Sequence, residues 1–256
     1  MGPLKDGVSK IGGPPGTPIP VGFVPKLPHQ EGLVVDLRGV DPEFRWEPSS
    51  ESRLAYHIGK RTLDVVLSVV MMLVLSPVFL VLAVIVMASS PGPVFFHQKR
   101  VGRYGKPFVL SKFRTMVDGA NESHHRHHYE QLANDNDDHR DLLIEEDPRV
   151  TRVGTFLRKW SLDELPNLWN VLKGDMSLVG PRPLVAYELL LYEPNQLRRV
   201  KVPPGITGLA QVNGRLQVTL GERADYDLEY VDHCSFWYDL GLLFRTIPAI
   251  LTKRGA

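Results

Sequence analysis

A long uncharged segment constrains this chain more than any other feature. Residues 65–98 contain no Asp, Glu, Lys or Arg, and residues 65–88 are almost wholly aliphatic. As one helix, the aliphatic part would be about 36 Å long at the usual rise per residue. The hydrocarbon core of a bilayer is about 30 Å thick. The segment therefore predicts an element that enters a membrane.

The middle and the flanks of this segment argue against a simple crossing. Ser76-Pro77 lies within the run, and a proline at that place kinks or breaks a helix. Basic residues lie on both sides, Lys60 and Arg61 before the run and four more between residues 99 and 106. Positive charge at both ends gives no preferred direction for crossing. The pattern favours a helix–break–helix that dips into the membrane and returns to the same face.

The residues alone leave two alternatives for the uncharged segment. A spanning helix stays open, because proline is tolerated in helices that cross a membrane. A buried core helix fits less well, because the run is long and is apolar on all sides.

Two further segments differ in composition from a packed domain. Residues 1–48 hold 9 of the 21 prolines and 8 of the 22 glycines, so residues 1–57 are predicted to form an extended arm. Residues 117–147 carry ten acids and five histidines. The histidines suggest a metal site, but their spacing fixes no ligand set, and a solvated insertion is favoured.

Composition excludes several classes of protein. The net charge of +1 argues against a polybasic nucleic-acid binder, so no nucleic acid is expected as a partner. Cys234 is the single cysteine of the chain. One cysteine rules out both a disulfide scaffold and a zinc site built from cysteines.

The rest of the chain shows the periodicities of a small mixed domain. Residues 93–98 and 107–113 predict a β-hairpin around a basic turn. Between residues 99 and 114 there are six basic residues and no acid, which fits a solvated face or an anion site. A mixture of aromatic, aliphatic and basic residues near the C-terminus suits an interfacial helix or a core helix. Helical patterns cover residues 155–173, 183–199, 222–233 and 236–253.

The densest cluster of polar residues, 158–183, has a purely structural interpretation. Ser161 followed by Glu164 predicts a capping box at a helix start, and Asp163 would lie in the first turn. Lys173-Gly174 would end that helix. These residue types are thereby explained without any catalytic role.

The same cluster also has a chemical interpretation. A carboxylate at a helix start stays ionised and can attack phosphorus to give an acyl phosphate. Because the attack brings two anions together, it needs a divalent metal and nearby cations. The residues alone do not decide between the two interpretations. Cations are available nearby and elsewhere in the chain: Arg158, Lys159, Arg182, Lys112, Arg114 and Arg215.

Several motifs in order resemble one known family. Residues 161–166 (Ser-Leu-Asp-Glu-Leu-Pro), 170–177 (Asn-Val-Leu-Lys-Gly-Asp-Met-Ser) and 179–183 (Val-Gly-Pro-Arg-Pro) are similar to the signature of the monotopic phosphoglycosyl transferases, the bacterial sugar transferase family. The resemblance covers roughly residues 58–256. It continues through residues 112–116, 204–208, 210–215 and 230–232.

The resemblance implies a fold and a location. The expected fold is α/β (α+β) and helix-rich, with a small β-hairpin and interfacial amphipathic helices. Residues 58–256 would form the transferase domain, and its re-entrant membrane helix, 58–90, would be broken at Ser76-Pro77. Lys60 and Arg61 match the basic membrane anchor of the family. The protein is expected in the bacterial inner membrane as a monotopic protein, with the catalytic domain on the cytoplasmic face.

The resemblance also implies a reaction and a site. Family members transfer a phospho-sugar from a UDP-sugar to polyprenol phosphate and release UMP by a ping-pong mechanism. By motif, Asp163 is the nucleophile, Glu164 is its partner, and Mg²⁺ binds at this pair. The residues that match phosphate-binding positions are Lys112, Arg158, Arg182 and Arg215.

Two alternatives from other classes accompany this prediction. A non-catalytic membrane scaffold would not need Asp163, and a membrane-bound phosphohydrolase would use water in place of the lipid. The sugar is not encoded in any motif, because pocket contacts distinguish hexoses that differ by one polar group. The arm is a candidate for self-association into a homodimer or for contacts with later enzymes, and the acidic insertion could cover the site.

Overall fold

The computed structural model describes residues 51–120, 147–214 and 218–252. Most of the predicted arm and most of the acidic insertion lie outside these residues, and so does Arg215. The described chain is rich in helix and contains two small pairs of strands. This agrees with the helix-rich part of the expected fold.

The uncharged segment forms two helices that meet at the predicted break. Helix α1 covers Glu51–Val74 and helix α2 covers Ser76–Ser89, and the two are bent by 64°. Pro77 lies in the first turn of α2, where its missing N–H needs no partner. The Ser76 hydroxyl donates to the Leu73 carbonyl at 2.8 Å. The predicted helix–break–helix is confirmed as a feature of the chain.

Much of the surface of this helix pair is apolar and exposed. Leu82 and Val86 of α2 are buried against Phe113 and Leu157, whereas Leu73 and Leu80 are mostly exposed. Within the described ranges, no single helix has both the length and the apolar character of a membrane span. The bent pair of α1 and α2 meets that requirement by length and composition.

The predicted β-hairpin is confirmed. Strands β1 (Phe95–Val101) and β2 (Pro107–Phe113) pair antiparallel, with Phe95 opposite Phe113 and Val101 opposite Pro107. The first strand begins two residues later and ends three residues later than predicted. Tyr104 and Gly105 in the turn have positive φ, which reverses the chain within a few residues.

A second pair of strands depends on glycine. Strands β3 (Ser177–Val179) and β4 (Gly205–Thr207) are parallel. A Cβ atom at Gly180 would lie 2.3 Å from the Pro203 carbonyl oxygen. One at Gly205 would lie 2.1 Å from the Gly180 nitrogen. Only residues without a side chain allow the two backbones to approach this closely.

The helices agree with the sequence patterns at the C-terminal end and differ in the middle. The helices after the hairpin are α3 (Arg152–Lys159), α4 (Asn167–Lys173), α5 (Leu209–Asn213), α6 (Leu220–His233) and α7 (Phe236–Leu251). The predicted helices 222–233 and 236–253 are confirmed as α6 and α7.

Two predicted helices need correction. The pattern at 155–173 is divided into α3, a short 3₁₀ turn and α4. The prediction of a helix at 183–199 is wrong, because only 3₁₀ turns form there, at Glu188–Leu191 and Gln196–Lys201. Pro194 lies inside that predicted helix and has no N–H for its hydrogen-bond ladder.

Cationic side chains fasten both limbs of the bent helix pair to the rest of the protein. The Lys60 ammonium donates to Asp239 at 2.8 Å and to the Val179 carbonyl at 2.9 Å. Arg61 donates to two carbonyl oxygens at the end of α4, at 2.6 and 2.7 Å. At the far end, Arg114 donates to three carbonyl oxygens at the end of α2 and just after it. Lys60 and Arg61, predicted as membrane anchors, therefore bind protein groups.

Candidate active site

The acidic pair Asp163–Glu164 lies on the 3₁₀ turn Leu162–Glu164, between α3 and α4. Ser161, just before it, has φ 55° in the left-handed region, and its side chain forms no cap hydrogen bond. The predicted capping box is therefore wrong. Ser161 is instead the second residue after α3, just past the C-cap Trp160, a place where a left-handed residue commonly ends a helix. Helix α4 begins later, after Pro166.

Lys112 on β2 bridges the two carboxylates. Its ammonium nitrogen lies 2.6 Å from Glu164 Oε1 and 3.6 Å from Asp163 Oδ2. Asp163 is buried, with 7% of its surface exposed. A cation this close favours the ionised form of a carboxyl group. The hairpin thus places a cation between the two carboxylates.

Two predicted phosphate-binding arginines face the same place. Arg182 Nη1 lies 3.8 Å from Glu164 Oε1. Arg158 Nε donates to Thr115 Oγ1 at 2.9 Å, which fixes its guanidinium group, and the charge of Asp163 acts on it. Burial lowers the pKa of Arg158, but an arginine this far above neutrality remains protonated. The structure therefore brings together Asp163, Glu164, Lys112 and Arg182, with Arg158 in electrostatic contact.

Lys112, Glu164 and Arg182 line one cleft, and Asp163 adjoins it through its contact with Lys112. The cleft is rich in cations and also contains two amide side chains, Asn167 and Gln211. Within the described residues, Asn167 Oδ1 and Gln211 Oε1 are buried without a hydrogen-bond partner. Buried acceptors are rarely left unpaired, so these oxygens are suited to a ligand that donates hydrogen bonds.

The acidic pair offers oxygen ligands to a cation. In the part of the chain that the structure describes, no group of three or more His, Cys, Asp or Glu side chains could hold a metal. Two carboxylates still fit Mg²⁺, which commonly binds through one or two carboxylates and completes its ligands with water and substrate phosphate. Asp163 and Glu164 could therefore supply the protein ligands of such a site.

A comparison with known families agrees with this geometry. The model of the family described as "Bacterial sugar transferase" matches residues 55–253. The chain belongs to the bacterial sugar transferase family. The resemblance found in the motifs is confirmed, and this sugar transferase is an enzyme of the phosphoglycosyl transferase class.

Curated relatives of this sugar transferase have related names. It is 39% identical over 220 residues to "Exopolysaccharide production protein ExoY" of Rhizobium meliloti (strain 1021), covering 84% of this chain and 95% of the relative. It is 43% identical over 201 residues to "Undecaprenyl-phosphate galactose phosphotransferase" of Salmonella typhimurium, covering 77% and 41% respectively. It is also 43% identical over 197 residues to "UDP-glucose:undecaprenyl-phosphate glucose-1-phosphate transferase" of Escherichia coli K12, covering 73% and 39%.

Some residues of the sugar transferase's cleft were not singled out in the sequence. Arg100 lines the cleft, and its only signal is its place in the basic stretch between residues 99 and 114. Gln211 lies within the motif at 210–215, and Asn167 lies between the motifs at 161–166 and 170–177, so neither stands out beside the charged residues of those motifs. Arg114, considered as a phosphate ligand, instead binds carbonyl oxygens at the end of α2.

Proposed function

We propose that the chain transfers a phospho-sugar from a UDP-sugar to undecaprenyl phosphate and releases UMP, as the first membrane step of exopolysaccharide assembly. The observation that carries the proposal is the buried Asp163, joined to Glu164 through Lys112, beside a cleft that Glu164, Lys112 and Arg182 line. The names of the relatives, which include undecaprenyl phosphate, a UDP-sugar and exopolysaccharide production, support the choice of substrates.

In the first half-reaction, a carboxylate oxygen of Asp163 attacks the β-phosphorus of the donor. A bond forms between Asp163 and phosphorus, and the bond from that phosphorus to the oxygen shared with the α-phosphate breaks. UMP leaves with the electron pair, and the phospho-sugar remains on Asp163 as an acyl phosphate. Lys112 and Arg182 offset the repulsion between the carboxylate and the diphosphate.

In the second half-reaction, a phosphate oxygen of undecaprenyl phosphate attacks the same phosphorus. The new phosphorus–oxygen bond replaces the bond to Asp163, whose carboxylate is restored. Both attacking groups are anions, so neither step requires a general base. The product is undecaprenyl diphosphate sugar, and the kinetics are ping-pong because UMP leaves before the lipid reacts.

Mg²⁺ is part of the proposal. Asp163 and Glu164 would hold it together with the donor's diphosphate, and its charge would neutralise the phosphoryl oxygens. Lys112 already lies between the two carboxylates, so the ammonium group and the metal would share the same negative charge. The chain's own cations, Lys112, Arg158 and Arg182, orient the diphosphate for attack.

The bent helix pair supports a place at the inner membrane, with the cleft on the cytoplasmic face. The exposed aliphatic surface of α1 and α2 is suited to lipid, and α7 adds exposed Trp237, Phe244 and Ile247. We propose that the pair enters the bilayer and returns, so that the cleft lies at the headgroups where a lipid phosphate can reach it. Self-association into a homodimer stays a prediction.

The test is UMP release by the detergent-solubilised protein with a panel of UDP-sugars, with and without undecaprenyl phosphate. We expect turnover that needs the lipid, stops in EDTA and is abolished in Asp163→Asn. Asp225→Asn, an exposed carboxylate on α6, is the matched control and is expected to retain activity.

Each alternative predicts a different outcome. A scaffold would release no UMP, and Asp163→Asn would leave polysaccharide assembly unchanged in cells. A phosphohydrolase would release sugar phosphate without any lipid acceptor. Radiolabel retained on Asp163 after incubation with a sugar-labelled donor alone would support the covalent step. A labelled lipid product formed without any labelled enzyme intermediate would contradict the ping-pong order.

A further inference from the structure

The Pro-Arg-Pro turn, residues 181–183, carries Arg182 and is held through its carbonyl groups. Two of its three residues are prolines, which have no N–H to donate, so few backbone donors are available to fix it. Four consecutive carbonyl oxygens accept hydrogen bonds instead. Those of Pro181, Arg182, Pro183 and Leu184 accept respectively from the Gly205 N–H, the Arg199 side chain, the Arg100 side chain and the Val101 N–H.

The donor to Arg182 itself is a deeply buried arginine. Arg199 Nη2 lies 3.2 Å from the Arg182 carbonyl oxygen and 2.5 Å from Asp227 Oδ2 on α6. The side chains of Arg199 and Asp227 are each only 1% exposed. The guanidinium group also lies 4.8 Å from the centre of the Tyr192 ring. Arg199 is thus held from two sides while it reaches the turn that carries Arg182.

Stability alone does not account for such a pair. Taking two charges out of water costs about as much as their attraction returns, and apolar side chains of similar size often serve as well. In Arg199, however, one nitrogen of a rigid planar group, Nη2, faces both the Asp227 carboxylate, as an ion pair, and the Arg182 carbonyl oxygen, as a hydrogen-bond donor. A lysine ammonium in the same place lacks that rigid fork. The use of arginine therefore points to a demand for direction.

We propose that Arg199, oriented by Asp227, is a positioning residue that aims Arg182 at the phosphates of the donor. Arg182 lies 3.8 Å from Glu164, so its direction decides where the phosphates lie relative to Asp163. Arg199 does not touch substrate and acts only through the backbone of Arg182. This inference rests on the proposed function, because it uses Arg182 as a phosphate ligand.

The test is a double-mutant cycle between residues 199 and 182. Arg199→Lys keeps the charge opposite Asp227 but loses the fork, and we expect kcat/KM for UDP-sugar to fall about tenfold, since small misplacements in an active site are costly. Arg182→Ala is expected to cost about 100-fold. In the Arg182→Ala background, Arg199→Lys should cost less than about twofold, because the two residues act in series.

Arg198→Lys is the matched control. The residue is the chain neighbour of Arg199, pairs with Asp232 at the surface and donates no hydrogen bond to the turn. We expect it to keep wild-type kcat/KM. If the losses from Arg199→Lys and Arg182→Ala multiply, or if Arg198→Lys loses as much, Arg199 has no positioning role. Asp227→Asn, which leaves Arg199 in place, should lower kcat/KM about as much as Arg199→Lys does, and it should likewise cost little in the Arg182→Ala background. It replaces Arg199→Lys in the test if that variant does not fold.

Hydrogen–deuterium exchange tests the inference without any activity. Peptides that cover residues 179–189 should exchange faster in Arg199→Lys than in Arg198→Lys, because one bond to the turn is lost. Equal exchange in the two variants would overturn the positioning role, whatever the activity. Faster exchange together with no UMP release from the wild-type protein would support the role of Arg199 in holding the turn and overturn the proposed function instead.

Discussion

Replacing Lys60 with Met tests how firmly the bent helix pair is fastened to the catalytic part of the chain. Lys60 forms a buried ion pair with Asp239, and the side chains are 8% and 2% exposed. Removing one partner of a buried pair costs about 3–5 kcal/mol, because the other charge stays buried. The Tyr230 and Tyr56 hydroxyl groups still donate to Asp239, at 2.7 and 3.0 Å. We therefore expect a loss at the lower end, about 3 kcal/mol.

The assay is thermal unfolding in detergent, followed by circular dichroism. For a chain of this size, about 3 kcal/mol lowers Tm by about 6–12 °C. Lys173→Met is the matched control, because Lys173 pairs with Asp175 at 3.0 Å but the two side chains are 48% and 29% exposed. An exposed pair is worth less than about 1 kcal/mol, so the control should lose only a few degrees.

A comparable loss of Tm in the two variants would refute the reasoning. A second variant separates charge from packing. Lys60→Met combined with Asp239→Asn removes the uncompensated carboxylate, so it should recover part of the lost stability. If the double variant is less stable than Lys60→Met alone, the pair contributes through contacts other than the charge of Lys60.

Three further substitutions have defined outcomes. Gly154→Ala would put a Cβ 1.9 Å from a backbone carbonyl oxygen, so denaturant unfolding should show a marked fall in the free energy of unfolding. Gly241→Ala, on the open face of α7, should leave that free energy unchanged or raise it. Lys112→Met should lower kcat/KM for UDP-sugar about 100-fold. The exposed Lys99→Met on the neighbouring strand should leave it unchanged, and an equal loss in both would remove the special role of Lys112. Ser161→Gly relieves a left-handed conformation that costs about 1 kcal/mol, so Tm should rise, and a fall would show that the Ser161 side chain contributes to stability.

Local chemistry made some elements predictable from sequence. The break at Ser76-Pro77 follows from the missing N–H of proline, which favours the start of a new helix at that residue. The hairpin follows from strand-forming residues on both sides of a turn rich in glycine. The helix at 222–233 follows from its own periodicity. In each case the signal and the structure involve the same few residues.

Other elements depend on neighbouring parts of the fold and on available hydrogen bonds, which a local sequence pattern does not show. Ser161 has the sequence of an N-cap, but it also lies just past the C-cap of α3, and its left-handed backbone ends that helix. The apolar spacing at 183–199 resembles a helix, yet Pro194 and the turn before it prevent one. Periodicity describes which residues are buried and does not say whether hydrogen bonds are available to continue a helix.

The sequence motifs contain the acids and cations that the structure brings together, Lys112, Asp163, Glu164 and Arg182. The partners of Lys60 and Arg114 were not predictable. Lys60 meets Asp239 across 179 residues, and Arg114 meets the end of α2 across 24. Basic residues beside an apolar run are typical of headgroup contacts, and only the fold shows that these bind protein groups.

The fastening of both limbs of the bent helix pair has a geometric consequence. Lys60 and Arg61 of α1 bind the part of the protein that carries Asp163, and Arg114 of that part binds the end of α2. With the bend embedded in the bilayer as proposed, these contacts fix the distance from the bend at Ser76-Pro77 to Asp163. The fold itself, and not the local thickness of the lipid, then sets how far Asp163 lies above the interior of the bilayer.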